Sequence, residues 1–366
     1  MRTVRYMVTV VALLAGCATG PEAPRGPPVT AEEARARIAA HLPPKLPDAK
    51  GWATDIYAAM ASLGVAPSVE NICAIVAVTE QESGFKANPE VAGLSAIAWK
   101  EIERQRESVG IPKLILDAAL LLPSSDGRSY RDRIDAARTE LDLSDAYEDM
   151  IGRVPLARRF LEDRNPVRTA GPMQVSVAFA QSHARSRPYP YPVATSLRQE
   201  LFTRRGGMYF GIAHLMDYPA GYDAMIHRFA DYNAGHYASR NAAFQKALAE
   251  ATGIPLDLDG DLVRMENGSI ARDPGSTERA ARVLGQRIGM DEAQVRRDLE
   301  HGAQADFART RLYQRVFDYA EAKSGKSLPR ETLPQIPLKS AKIRRSLTTE
   351  WFAKRVDTRY RACLAR

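Results

Sequence analysis

Three short segments hold side chains that could do chemistry. They are Glu82-Ser83-Gly84-Phe85-Lys86-Ala87-Asn88-Pro89, Ala170-Gly171-Pro172-Met173-Gln174-Val175 and Asp231-Tyr232-Asn233-Ala234-Gly235. Glu82 follows Ile72-Cys73-Ala74-Ile75-Val76-Ala77-Val78, a run apolar on every helical face, and it shares a face with Ile75 and Val78. Burial and the negative end of a helix both disfavour a carboxylate. A carboxyl placed there can hold its proton near neutral pH and donate it to a glycosidic oxygen. Glu80 sits two residues earlier, on the face of Cys73 and Val76, and periodicity alone does not choose between the two. In the second segment, Gly171 permits close backbone approach and Pro172 suits the first position of a helix. In the third, Tyr222, Met225, Phe229 and Tyr232 follow one helical face, which makes Tyr232 a core candidate.

The elements that must position these segments are helices. Thr30-Ala31-Glu32-Glu33 is a capping box opening a helix to about His41. A second helix is expected from Ala49 to Leu63, stopped by Gly64. A third is capped by Ser68 and ended by Gly84. Further helical stretches are expected near 94–108, 130–150, 172–185, 207–217, 223–233, 236–251, 276–288, 291–301 and 304–323. Residues 326–345 are Pro-rich and basic and read as a connector. A last helix over Thr349–Leu364 carries Phe352, Val356, Tyr360 and Cys363 on one face, so it should dock on the body. Alternating strands and repeats are missing from the pattern, and the expected fold is mainly α.

In this order, and on this background, the three segments resemble the lysozyme-like lytic transglycosylases. Those enzymes carry Glu-Ser with a following Phe and Asn-Pro, then Gly-Leu-Met-Gln, then Ala-Tyr-Asn-Ala-Gly. The likeness covers about 68–250, in three islands. It implies a lysozyme-like helical domain over 31–325 and peptidoglycan as substrate. It also implies Glu82 rather than Glu80 as the catalytic acid, with Ser83, Met173, Gln174, Tyr232 and Asn233 around the sugar. The Tyr232 hydroxyl would reach toward Glu82. Most glycosidases need two carboxylates. The resembled family uses one, and the sugar's own 6-hydroxyl closes an anhydro ring. Asp217, Asp223 and Asp231 are the carboxylates available should a second take part. The chain departs from the pattern in spacing: Gln174 follows Glu82 by far more than the usual twenty or so residues. A long helical insertion, about 94–168, containing Trp99 and the apolar stretch Leu114–Leu122, therefore projects from the cleft or covers it. Pro172 replaces Leu, Asp231 replaces Ala, and Thr169 stands nearest the place of a serine. A catalytically silent module binding glycan or an envelope protein is the alternative that these changes favour. The chain as a whole also resembles a group of bacterial surface lipoproteins without an assigned activity.

The N-terminus reads as an address. Arg2 and Arg5 precede a short apolar stretch, Met7–Leu14, and then Leu14-Ala15-Gly16-Cys17. Such a stretch is a secretory signal, too short to span a bilayer. Its end is similar to a bacterial lipobox, which implies removal of 1–16, lipid on Cys17 and a Pro-rich tether over 17–30. The expected location is the periplasmic side of the envelope, on the outer membrane. In that oxidising compartment the two remaining cysteines, Cys73 and Cys363, are expected either to bond or to be buried together. The 366 residues carry a net charge of +7 with scattered basic residues, which gives no nucleic-acid signature. The six histidines lack metal-ligand spacing, and Asp257-Leu258-Asp259-Gly260-Asp261 reads as a polar turn rather than a calcium loop. Neither metal nor cofactor is expected.

Overall fold

The computed structural model describes residues 29–153, 164–266, 268–338 and 347–366. Cys17 and nearly all of the tether lie outside the described residues.

Local signals start the first three helices. Thr30 and Glu33 form a reciprocal capping box at α1 (Ala31–His41). Asp48 caps α2 (Ala49–Leu63), and Ser68 accepts from the Asn71 amide at the start of α3 (Val69–Glu82). Every residue of α3 from Ile72 to Thr79 is fully buried. A helix apolar all round needs neighbours on all sides. They are α1 and α16 (Thr349–Leu364), which lie against it, while α2 packs between α1 and α10 (Arg204–Met216). Phe352, Ala353, Val356 and Cys363 carry α16 into the same core. A disulfide joins Cys363 to Cys73, with the Cα atoms 5.4 Å apart.

Residues 94–153 form four helices: α4 (Leu94–Val109), α5 (Lys113–Leu120), α6 (Tyr130–Ala136) and α7 (Glu140–Arg153). The single helix expected near 130–150 is broken. The Asp142 carboxylate accepts from the Arg138 and Thr139 amides, and the Arg138 carbonyl accepts from the Val91 amide, so the chain leaves the helix to pair with residues 90–91.

The helix expected over 172–185 starts later, at Val177. Thr169–Ala170 (β1) and Val175–Ser176 (β2) pair antiparallel, and Gly171-Pro172-Met173-Gln174 is the loop between them. Pro172 therefore opens no helix. Helix α8 (Val177–Ser186) begins after Ser176, whose hydroxyl accepts from the Phe179 amide. Gly171 has φ +78°, and a Cβ there would collide with the Leu201 carbonyl at the end of α9 (Leu197–Leu201). Helix α10 also offers two holes to the loop: Gly207 receives Pro172, and Gly211 receives Met173.

Helices α11 (Met225–Ala234) and α12 (Ala238–Thr252) follow. From α12 onward a second hydrophobic cluster forms with α13 (Ser276–Gly285), α14 (Glu292–Glu300) and α15 (Arg311–Ser324), around Phe244, Phe307, Tyr313 and Phe317. A small hairpin, β3 (Met265–Glu266) with β4 (Ser269–Ile270), lies on its outside. The helix expected over 304–323 is a short 3-10 turn, Ala305–Arg309, followed by α15, because the Thr310 hydroxyl caps a fresh start. The fold is mainly α, with two small hairpins. Among the described residues, none of the helices is long and apolar enough to cross a membrane.

Candidate functional site

Glu82 is the last residue of α3 and is half-buried. The Ser83 hydroxyl donates back to the Thr79 carbonyl (3.3 Å) and accepts from the Lys86 amide (3.2 Å), which ties the turn locally. Gly84 and Phe85 both take left-handed backbone, φ 60° and 62°. Glycine does so freely; a phenylalanine does so only under constraint. The Phe85 ring supplies the constraint: it is buried edge-on against Trp52, centroids 5.1 Å apart. The turn is thus held from below by the core of α2.

Helix α11 brings the second wall. Tyr232 is buried, and its hydroxyl donates to the Met173 carbonyl at 2.6 Å. Burial first, and the charge of Glu82 second, push this hydroxyl well above the ordinary tyrosine range. Tyr232 therefore links the two segments: the charge of Glu82 bears on its hydroxyl, and the loop backbone takes the phenolic hydrogen. Tyr232 is both core and site wall. The His214 ring donates from Nε2 to the Tyr232 carbonyl (3.1 Å) and packs on the ring, centroids 4.8 Å apart.

The loop is the third wall. Met173 is fully buried in the hole over Gly211. Gln174 is held at φ 49°, with Nε2 donating to the Gly171 carbonyl (3.2 Å) and Oε1 accepting from the Thr169 hydroxyl (3.2 Å). Thr169 thus acts on Gln174, not on Glu82. Asn233 is exposed, and its Oδ1 accepts from the Thr349 hydroxyl (3.0 Å) at the start of α16. The amide groups of Gln174 and Asn233 are therefore partly used inside the protein.

The two carboxylates that periodicity could not separate have different surroundings. Glu80 faces α16, with Arg359 at 3.7 Å and Arg366 at 4.0 Å. Glu82 faces Tyr232.

The three aspartates are also placed. Asp231 is fully buried and accepts from the hydroxyls of Tyr218 (3.1 Å) and Tyr222 (2.6 Å) and the amides of Tyr237 (2.9 Å) and Ser239 (2.7 Å). It ties the turn between α11 and α12. Tyr222 lies before α11 and not on its face. Asp217 pairs with His183 and Arg187, both at 2.9 Å. Asp223 is exposed, beside Glu331. The Asp259 carboxylate accepts from Gln245 (2.7 Å), which fastens that turn to α12.

The sequence offers no signal for His214 or for the strain at Phe85 and Gln174. Both arise from tertiary packing. Residues held in strained backbone by their surroundings cluster at functional sites; here Phe85 lies three residues after Glu82, and Gln174 follows Met173, whose carbonyl holds Tyr232.

The end of α3 is thus linked through the buried Tyr232 to the 171–174 loop, with strained backbone at Phe85 and Gln174. The chain belongs to the family described as "Protein of unknown function (DUF1615)", whose pattern matches residues 45–366. It is 47% identical over 354 residues to "Uncharacterized protein YaiW" of Escherichia coli (strain K12), covering 97% of this chain and 96% of that protein. No solved structure matches it.

Proposed function

We propose that this chain cleaves the glycan strands of peptidoglycan in the manner of a lytic transglycosylase, from a lipid anchor at Cys17 on the periplasmic side of the outer membrane. Glu82 gives its proton to the glycosidic oxygen as the bond to the anomeric carbon breaks. The resulting carboxylate takes the proton of the sugar's 6-hydroxyl as that oxygen closes the anhydro ring. Water is not consumed, and no second carboxylate is needed. The observation that supports the reading is the link that Tyr232 makes between the three sequence-distant segments. The charge of Glu82 bears on Tyr232, and the Tyr232 hydroxyl pins the Met173 carbonyl.

A second reading has its own support. Gln174 and Asn233, expected to hold the sugar, are engaged by Gly171, Thr169 and Thr349. A silent module that binds glycan, or an envelope protein through residues 94–168, would leave them so.

One experiment separates the two. Purified sacculi are incubated with the mature chain, and the products are read by mass spectrometry. The enzyme reading expects anhydro-muropeptides from wild type and a loss of roughly 10²–10⁴-fold or more in Glu82→Gln, because a positioned acid contributes that much. Glu80→Gln should keep most of the activity. Sacculus binding without product from wild type would establish the silent reading instead.

A further inference from the structure

The insertion encloses a cavity of about 280 Å³ that the site at Glu82 does not use. Helix α4 lines it along its whole length, with Leu94, Ile97, Ile102 and Val109 on one stripe. That stripe spans about 22 Å at 1.5 Å per residue. Leu116 and Leu120 of α5, Ile134 of α6 and Leu143 and Met150 of α7 close the other sides. Val109 and Ile111 line the cavity and are also exposed, so they mark an opening to solvent.

The dimensions select the occupant. A helix with its side chains is 10–12 Å across, and a cavity of about 280 Å³ suits a single extended chain better than a cylinder of that width. The walls are mostly aliphatic, with Glu101, Gln105, Glu140 and Tyr147 among the polar exceptions, so most of the backbone N–H and C=O groups that a peptide would bring would go unsatisfied. A linear hydrocarbon has neither problem. Among the described residues, the exposed guanidinium of Arg164 on the lining pairs with no carboxylate, and it sits near enough to Tyr147 to act on that hydroxyl. A guanidinium fork matches a carboxylate head. Arg106, by contrast, is already paired with Glu103 at 2.7 Å.

We infer that the α4–α7 cavity is a binding site for one long-chain fatty acid, with the chain laid along α4 and the carboxylate at Arg164. Helix α5 agrees with such a ligand. It is apolar on both faces, turning Leu116 and Leu120 inward while Leu114 stays 80% exposed. A face of this kind is suited to meeting the lipid surface from which the chain would be drawn.

The test is fluorescence titration with cis-parinaric acid, using the mature chain carrying Cys17→Ala so that no covalent acyl group competes. Saturable one-to-one binding, displaced by palmitate, is expected. Ile102→Trp fills the channel and should weaken binding at least about tenfold with the circular dichroism spectrum unchanged. Val109→Trp, at the opening, gives the same reading if Ile102→Trp does not fold. Arg164→Gln should weaken palmitate by roughly tenfold and leave hexadecanol unaffected. The inference is overturned by non-saturable binding. It is also overturned by unchanged affinity in the tryptophan variants, or by uptake of the probe only when phosphatidylglycerol vesicles are present. That last result would make α5 a membrane-contacting surface and the cavity empty of ligand.

Discussion

Asp231 shows how one residue can leave the active-site chemistry and enter the architecture. It stands where the resembled enzymes have alanine, and a carboxylate beside Tyr232 invites the reading of a second acid. Its two oxygens are instead filled by two tyrosine hydroxyls and two backbone amides. Burial raises its pKa, and the hydrogen bonds from Tyr222, Ser239 and Tyr218 act against that rise. Removing the acceptor would leave four buried donors unmatched. Asp231→Ala should therefore cost about 3–5 kcal/mol of stability, measured by urea unfolding. Asp231→Asn keeps one acceptor oxygen and should cost less. A loss below about 1 kcal/mol in Asp231→Ala would mean that water reaches the turn and replaces the carboxylate. The sequence displayed this residue as a departure from a pattern but could not say what it does, since Tyr218, Tyr222 and the α12 amides converge only in the fold. Glu82 and Glu80 posed the same problem, and it took α16 to separate them: the arginines that answer Glu80 lie almost three hundred residues further along the chain.

Among the elements, helices announced themselves and hairpins did not. Helices α1, α2, α3 and α16 begin at side-chain caps that any reader of the chain can find, and α2 and α3 stop beside glycine. The 169–176 hairpin is different. Its strands are two residues long, its Pro172 mimics a helix start, and what holds it is a pair of glycine holes on α10. A methyl group at Gly211 would lie 2.5 Å from the Met173 Cβ and sulfur. Gly211→Val should push the loop off α10, costing at least about 2 kcal/mol as overpacking and reducing any glycan cleavage, because the Met173 carbonyl would no longer meet Tyr232. A variant of wild-type activity and stability would show the loop to be free of α10. The disulfide acts between elements also. It closes a loop of 290 residues between α3 and α16, and in the chain-entropy model such a crosslink contributes about 2–5 kcal/mol by restricting the unfolded chain. The double variant Cys73→Ala/Cys363→Ala should unfold at correspondingly lower urea while keeping its helical signal, since Phe352 and Val356 still bury α16. An unchanged midpoint would place the stabilising contribution in those side chains alone.

At the scale of the whole molecule, two hydrophobic clusters adjoin at the turn between α11 and α12, and histidines crowd one side of that junction. His214 stacks on His236 with centroids 4.8 Å apart, Tyr218 lies on His236 at 4.0 Å, and Phe179 covers His214 at 4.6 Å. On the other side Arg240 donates to the carbonyls of Gly302 (2.7 Å) and Gln304 (2.9 Å), fastening α12 to the chain that follows α14. Burial, with His236 as the second cause, holds His214 down at about 4, and burial lowers His236 and His227 as well. The geometry agrees: His214 Nε2 already donates to the Tyr232 carbonyl, and its buried Nδ1 has no hydrogen-bond partner to receive a second proton. All three are depressed below the unfolded value near 6.5. The unfolded chain therefore binds protons first on acidification, so the His214 contribution is fully present above about pH 6.5 and is lost as the pH falls toward 4, with His236 and His227 acting in the same sense. For His214 alone the loss approaches about 3 kcal/mol. Asp231 works in the opposite sense, because its raised folded pKa makes protonation favour the folded chain. A His214→Gln variant separates the two, since the glutamine amide can still donate to Tyr232 but does not titrate. Urea unfolding of wild type should show stability declining from pH 7 to pH 4.5, and His214→Gln should show a shallower decline. Equal slopes in the two proteins would move the acid sensitivity away from this junction.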